Sequence, residues 1–306
     1  MSWRLHLTNQ AIQSLEIVDG DPPILVVWSR RDRVAYYGLM SGTPYGEISF
    51  EVPIVENRQE ETWQTFLNTL IVPNDAYLPV IHTPSIDIYT TDDGRMRLYH
   101  VGDAGLFLES DGKEIALEVE GVERFRAVAL DRFLGLSAAI DDEGKLHIYQ
   151  QHIRVGAFDL GLTMDEGLKL SVAISRGGGA IFVSDGQRVV LTDSSGRIRK
   201  KLEPHYFIGD ISCSPNGKYL VMNDIETGVL RVYSGTELQP LHQRFAIDLL
   251  AEATQTQLIA DLPPMMVGLS ALTMDNKKQI AFAMSGVICV TDTEHMDDLP
   301  RPQPLL

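Results

Sequence analysis

Short stretches of alternating apolar and polar residues recur along the chain, separated by turns rich in Gly, Asn, Asp and Pro. In residues 3–8, the apolar Trp3, Leu5 and Leu7 alternate with polar residues. This period of two predicts a β-strand, since successive side chains of a strand point to opposite faces. Four more extended runs are predicted in the following stretch, at 11–18, 24–29, 33–40 and 47–52.

Residues 214–234 show the unit that the rest of the chain repeats. The tetrapeptide 214–217, Ser-Pro-Asn-Gly, has turn chemistry, because Pro fixes φ and Asn-Gly tolerates the positive φ of hairpin turns. An extended run at 218–223 follows, then a polar break at 224–228. The run 229–233, Val-Leu-Arg-Val-Tyr, contains the β-branched and aromatic residues that favour strands. The stretch therefore predicts two strands joined by a tight turn.

The second of these strands recurs along the chain. Its pattern is Gly, any residue, Met or Leu, Arg or His, an aliphatic residue and Tyr; it begins at Gly94, Gly144 and Gly228, with looser copies at Gly186 and Gly286. The interval from Gly144 to Gly186 is 42 residues, and the interval from Gly186 to Gly228 is 42 again. A period near 40 that contains strands and no helix is typical of β-propeller blades.

The repeat predicts an all-β fold, a single β-propeller domain over residues 1–306. Six blades are expected, or seven if residues 53–120 hold two degenerate blades. Gly94 lies 50 residues before Gly144, eight over the period, so Gly105 is an equally good start for that third strand. The last blade has only three predicted strands. Because an open sheet edge invites pairing, we expect the strand at 3–8 to complete this blade and close the ring.

Two insertions and one tail interrupt the strand pattern. Residues 56–71 are predicted to form an amphipathic helix, with Trp63, Phe66 and Leu70 at helical spacing after an acidic start. A second helix is predicted at 247–262, ended by two consecutive prolines. Residues 294–306 are predicted to be a C-terminal tail whose proline-rich part, 299–306, cannot add to a sheet.

The charge balance narrows the choice of partners. Acidic residues outnumber basic ones by 42 to 26, which gives a formal net charge of −16. This field opposes contact with the phosphates of nucleic acid and steers basic protein surfaces toward the chain. No apolar run has the length of a signal peptide or a membrane span, so a soluble cytoplasmic protein without membrane contact is expected. The two cysteines, Cys213 and Cys289, lie in apolar runs and are predicted to be buried, free thiols.

Residues 207–234 carry a resemblance to a known family. The order Ser-Pro-Asn-Gly, extended run, Asp224 to Gly228, then Leu-Arg-Val-Tyr-Ser resembles WD-repeat and related bacterial propellers. The chain departs from that pattern, because it lacks the Gly-His pair before each blade. Tyr-Ser, Tyr-Gln or Thr-Asp also stands where Trp-Asp closes the third strand. The resemblance implies a platform for other proteins, although a fold of this kind does not fix function.

Candidate chemistry is concentrated in carboxylates at the predicted turns: Asp92, Asp93, Asp103, Asp141, Asp142, Glu143, Asp185, Asp193 and Asp224. Carboxylates that converge on a propeller channel can hold a divalent cation, as in gluconolactonase-type propellers. Asp before Gly is also what hairpin turns prefer, and the turn interpretation is favoured here. The triplet 177–179, Gly-Gly-Gly, lacks the Lys of a phosphate loop and occupies an inter-strand turn. His100 and His147 are interpreted as strand residues with hydrogen-bonded rings.

The sequence therefore predicts a non-enzymatic protein-interaction platform or assembly subunit, with no catalytic residue, cofactor or metal site. The candidate partner-binding residues are apolar positions of the first helix and prolines of the tail: Trp63, Phe66, Leu70, Pro300, Pro302 and Pro304. A metal-dependent hydrolase or lactonase with a carboxylate-lined channel is the alternative, and a small-molecule sensor is a second one.

Overall fold

The computed structural model describes most of the chain in separate segments. The described residues are 2–6, 12–18, 21–29, 33–49, 86–90, 96–101, 105–110, 113–117, 122, 124–131, 135–165, 167–255, 269–284 and 286–299. The predicted helix at 56–71 and all six candidate partner-binding residues lie outside this part of the chain.

The described strands are numbered β1 to β26 in chain order. Strand β1 (Trp3–His6) comes first in the chain. Sheet I consists of β2 (Ile12–Val18), β3 (Ile24–Ser29), β4 (Arg33–Gly38) and β5 (Pro44–Ser49). Sheet II consists of β6 (Ile86–Thr90), β7 (Met96–Val101), β8 (Gly105–Ser110) and β9 (Lys113–Ala116). The next two sheets contain β10 (Phe125–Leu130), β11 (Leu136–Asp141), β12 (Lys145–Gln150) and β13 (Ile153–Asp159) in sheet III; and β14 (Ser171–Ile174), β15 (Ile181–Ser184), β16 (Val189–Thr192) and β17 (Ile198–Leu202) in sheet IV.

The last two sheets include segments from outside the repeat. The repeat strands of sheet V are β18 (Ile208–Cys213), β19 (Tyr219–Asp224), β20 (Val229–Ser234) and β21 (Pro240–Phe245). Helix α1 (Ala246–Glu252) follows, and sheet VI contains β22 (Thr254–Gln255), β23 (Leu269–Met274), β24 (Gln279–Met284) and β25 (Val287–Asp292). Strand β26 (Asp297–Asp298) is the last strand of the chain that is described. Strand β26 adds to sheet V, while β1 and β22 add to sheet VI. The described residues thus form six sheets of four or five strands.

The sheets pack face to face as in a β-propeller. Their innermost strands touch in the order β2, β23, β18, β14, β10 and β6. Separate apolar clusters fill the spaces between sheets I and VI, VI and V, V and IV, IV and III, and III and II. The architecture is therefore an all-β propeller with small, mainly antiparallel sheets and one described α-helix.

Burial along each sheet explains why the strands differ in sequence. The second strands, such as β11 and β15, are buried along their whole length because neighbouring sheets cover both faces. The outermost strand β13 is exposed at residues 153–155 and then alternates between partly buried and exposed positions. Buried runs therefore mark the middle strands, while β13 at the rim is mostly exposed.

The repeated glycines serve one turn in each unit. Gly144, Gly186, Gly228 and Gly286 have φ values of 83°, 87°, 70° and 78°. These positive values favour Gly, since a side chain would be strained there. The glycine that recurs every 42 residues therefore fixes the turn between the second and third strands.

Strand β1 lies in the sheet that the sequence assigned to it. It pairs antiparallel with β25, with Trp3 opposite Val290 and His6 opposite Val287. Trp3 and Leu5 are buried, and Trp3 Nε1 donates a 2.6 Å hydrogen bond to the Leu39 carbonyl of sheet I. The first strand of the chain thus joins the last sheet to the first.

Two strand positions correct the sequence interpretation. Strand β5 begins at Pro44, within the predicted turn, because proline is tolerated on an edge strand where its missing N–H breaks no ladder bond. The third strand of sheet II begins at Gly105, and the strand after Gly94, Met96–Val101, is the second. The pattern at 94–99 matches a third strand only because both middle strands are apolar and extended.

The second predicted helix is shorter than expected. Helix α1 ends at Glu252, and Thr254–Gln255 forms β22, parallel to β1. The free edge of β1 offers hydrogen-bonding groups that the chain takes up after Glu252; one is the Ser2 carbonyl, which accepts the Thr254 N–H. The remainder of the predicted helix, 256–262, lies outside the described residues. No helix within the described segments is long and apolar enough to cross a membrane.

The start of the predicted tail is also part of the fold. Residues 293–295 form a 3₁₀ turn, and β26 pairs with β21. The Leu299 N–H donates to the Leu241 carbonyl, so this residue adds to a sheet edge, contrary to prediction. Its N–H is available because the prolines begin one residue later.

Candidate protein-interaction face

One end of the sheets, called here the turn face, carries the turns between second and third strands and the connections between sheets. In sheets III, IV and V, such a turn begins with a buried aspartate: Asp141, Asp185 or Asp224. Each carboxylate accepts N–H groups of its own turn. These aspartates therefore stabilise their own turns through hydrogen bonds, which agrees with the turn interpretation of the sequence.

Asp185 also ties two loops together. Its Oδ2 accepts the Thr163 N–H at 2.9 Å and the Arg188 Nε–H at 2.7 Å. Burial alone would raise the pKa of Asp185, but the hydrogen bonds from Thr163 and Arg188 hold the pKa below its ordinary value of 3.8. The charged carboxylate thus anchors the connection before sheet IV to the turn of that sheet.

A second anchor fixes the connection between sheets IV and V. The Tyr206 hydroxyl lies 2.8 Å from the Tyr233 hydroxyl, and the Arg231 guanidinium sits 4.5 Å from the Tyr206 ring centre. Burial raises the pKa of Tyr206, and the Tyr233 hydroxyl raises it further. A cavity of about 610 Å³ opens beside this connection, lined by residues that include Arg188, Tyr206 and Glu226.

Four large apolar side chains are exposed at the same end of sheet V. They form what is called here the apolar patch: Phe207, Ile225, Phe245 and Ile247, with 38%, 48%, 48% and 42% of their surface exposed. Phe207 and Ile225 are neighbours, since the Ile225 N–H donates to the Phe207 carbonyl at 3.0 Å. Phe207 also lines the cavity. Fixed turns therefore present apolar side chains to solvent, an arrangement typical of protein-binding surfaces.

A smaller cavity of about 210 Å³ runs between the innermost strands. Its lining includes three carboxylates, those of Glu16, Asp131 and Asp210, together with Arg176. Asp131 accepts the Gly177 N–H at 2.8 Å, which places the glycine triplet in a loop contact between sheets III and IV. Within the described segments, no group of three or more His, Cys, Asp or Glu side chains is arranged to hold a metal ion.

The remaining predicted polar positions are structural where they are described. Asp193 accepts hydrogen bonds from Ser195 and from the Arg197 N–H in a turn between strands. His147 Nε2 lies 2.7 Å from Asp141 Oδ2, whereas its buried Nδ1 has no hydrogen-bond partner among the described residues, so these residues satisfy the ring on one side only. Both cysteines are free and buried, as expected.

The sequence interpretation missed the apolar patch. A signal for it was present, because Ile225 is the single large apolar residue in the polar turn 224–228. Phe207 and Phe245 each lie at a strand end and read as core residues in a pattern of alternating hydrophobicity. Only the topology shows that these positions lie at the same end of one sheet.

The architecture is that of a β-propeller. The structure is similar to the crystal structure of Raptor from Chaetomium thermophilum, a WD40 propeller protein, with a TM-score of 0.56 and 11% sequence identity. The alignment covers 96% of this chain and 24% of that one, so the chain spans about a quarter of Raptor. No protein-family model and no curated protein sequence matches the chain. The likeness therefore concerns the fold alone.

Proposed function

We propose that the chain is a non-enzymatic platform that binds another protein through the turn face. The observation that carries this proposal is the apolar patch beside the cavity of about 610 Å³. Rigid turns favour binding because little conformational entropy is lost when the partner docks. The partner expected here presents apolar side chains with basic residues around them, since the chain has a net charge of −16.

The test removes apolar surface without disturbing the core. In the double variant Phe207→Ser/Ile225→Ser, we expect at least a tenfold weaker interaction, because central apolar contacts dominate binding energy. Ile153→Ser is the matched control, since Ile153 is 63% exposed on the outer strand of sheet III. Partners are first identified by quantitative affinity purification, and binding of the purified partner is then measured by calorimetry. Equal affinity for the double variant and the control would rule out the patch as the binding site.

We also infer that the six sheets are the blades of one closed ring. The pairing of β1 with β25 and the sequence of inner-strand contacts support this inference. A compact chain of this length has a radius of gyration of about 19 Å. Small-angle X-ray scattering should give a value near this figure, whereas an arc open between sheets I and II would give a clearly larger one.

A further inference from the structure

The outermost strands share one irregularity. In sheets I, III, IV and V, the ladder between third and fourth strands shifts register near the start of the fourth strand. In each of these sheets, one residue of the fourth strand has no partner in the ladder at this shift: Tyr45, Val155, Arg199 and Leu241, respectively. Such a β-bulge disturbs the ladder locally and twists the strand. Each of these sheets therefore has the same bulged rim.

Sheet V shows what this rim can bind. Strand β26 lies along β21, with Asp298 opposite His242 and Asp297 opposite Gln243. The Leu299 N–H donates a 2.9 Å hydrogen bond to the carbonyl of Leu241, the bulged residue. The Asp298 carboxylate lies 2.8 Å from His242 Nδ1. An acidic extended segment thus adds as a fifth strand beside the bulge.

Sheet IV repeats this edge with stronger positive charge. Arg199, Lys200 and Lys201 lie 42 residues before Leu241, His242 and Gln243. With Arg197, four cations fall within five consecutive residues of an otherwise acidic chain. Strand β17 is the outermost strand of its sheet among the described residues. The rim of sheet IV therefore combines an open strand edge with a basic strip.

The charges on this strip are accessible to a partner. Arg199 pairs with Asp193 at 3.1 Å and Lys200 with Glu237 at 2.7 Å, but both cationic side chains are at least 40% exposed. Exposed ion pairs of this kind stabilise a fold by about 1 kcal/mol or less. Carboxylates of an incoming strand can therefore replace Asp193 and Glu237 at small cost.

We propose that β17 binds an acidic, extended segment of a partner protein by strand addition. Main-chain hydrogen bonds next to the bulge supply affinity, and carboxylates opposite Lys200 and Lys201 supply specificity. This site lies on the rim of sheet IV, separate from the apolar patch. A test of strand addition at β17 is therefore independent of a test of protein binding at the turn face.

The test uses the chain's own acidic strand as a probe. A fluorescent peptide with the sequence of residues 292–299 is titrated with the intact protein, and its anisotropy is measured. We expect Lys200→Glu/Lys201→Glu to weaken binding about tenfold or more through charge repulsion. The matched control, Lys218→Glu/Lys277→Glu, makes the same charge change at exposed turn lysines and should bind within twofold of the unchanged protein. Thermal unfolding checks that both variants are folded.

A second peptide separates strand addition from simple charge attraction. N-methylation at Leu299 removes the amide that reaches the bulged residue in sheet V and leaves all charges in place. We expect this peptide to bind at least tenfold more weakly. Equal binding of the methylated peptide, or unchanged binding by the Lys200→Glu/Lys201→Glu variant, would overturn the proposal. Displacement of the peptide by a single-stranded oligonucleotide of higher affinity would assign the strip to nucleic acid instead.

Discussion

The seam between sheets V and VI differs from the seam between sheets III and IV. The III–IV seam is packed with side chains of the repeat and its connections, among them Ile140, Leu146 and Val183. The V–VI seam also contains Leu249, Leu250 and Met296, which come from α1 and the C-terminal segment. Arg4 of β1 donates a hydrogen bond to the Leu250 carbonyl. Repeated units thus pack by themselves, whereas the place where the chain ends meet needs segments outside the repeat.

Among the changes that test the difference between the two seams, deletion of residues 1–9 is expected to lower the free energy of unfolding most. It removes buried Trp3 and Leu5 and leaves one edge of β25 unpaired, while the other edge keeps its antiparallel partner β24. We expect the free energy of unfolding to fall by about 5 kcal/mol or more, judged from the cost of removing single large core side chains. Denaturant unfolding measures the loss. Removal of residues 300–306 is the control and should leave the midpoint unchanged; equal behaviour of both truncations would refute the role of β1.

Core truncations distinguish the two seams by their coupling to that deletion. Leu250→Ala and Leu146→Ala each remove a fully buried side chain and should cost about 2–5 kcal/mol. Combined with deletion of residues 1–9, Leu250→Ala should cost less than the sum, because the deletion also removes Arg4, which bonds to the Leu250 carbonyl at the V–VI seam. The cost of Leu146→Ala should instead add fully to the cost of the deletion. Full additivity in both combinations would show that the seams do not differ in this way.

Asp185→Asn tests the anchored turns between the seams. The amide keeps the shape of the carboxylate but loses the charge that accepts hydrogen bonds from Thr163 and Arg188. We expect a loss of about 1–3 kcal/mol, as for other buried hydrogen bonds to charged groups. Hydrogen exchange should show faster opening at 163 and 185–188, with sheet VI unchanged. Protection that falls equally in both sheets would argue against a local anchor.

The smallest effect is expected at Asp193. The hydrogen bond from the Ser195 hydroxyl outweighs partial burial and lowers the pKa of Asp193 from 3.8 to about 2. The carboxylate therefore stabilises the folded chain above about pH 4, and this contribution is lost as the pH falls toward 2. In the Asp193→Asn variant, the melting temperature should depend less on pH between about pH 4 and pH 2 and should keep its ordinary pH dependence elsewhere. Asp165→Asn, which changes an exposed turn carboxylate, is the control.

The propeller could be predicted because its repeat is local. The Gly at each second turn and the apolar middle strands are visible within single units of about 42 residues. The third strand of sheet II was ambiguous, since the strands after Gly94 and Gly105 both fit the pattern. Strands β22 and β26 could not be predicted at all. Each has two residues, too few for any periodicity, and each forms because a sheet edge from a distant part of the chain is available.

The candidate site was less predictable than the fold. Phe207, Ile225 and Phe245 are far apart in the sequence, and only the topology of sheet V places them at the same end of that sheet. The basic strip at 197–201 is visible in the sequence, but its position on an outermost strand is not. Charge and hydropathy identify unusual residues, whereas exposure depends on which strand is last in its sheet.

The pairing of β1 with β25 has a consequence for biosynthesis. The ribosome makes Trp3–His6 long before their partners, Val287–Val290, because His6 and Val287 are 281 residues apart in the chain. Sheets I to IV each consist of consecutive strands and can assemble from neighbouring residues during translation, while the first strand waits with Trp3 and Leu5 uncovered. Such distant pairing is slow, and the uncovered strand is a natural substrate for chaperones on the nascent chain.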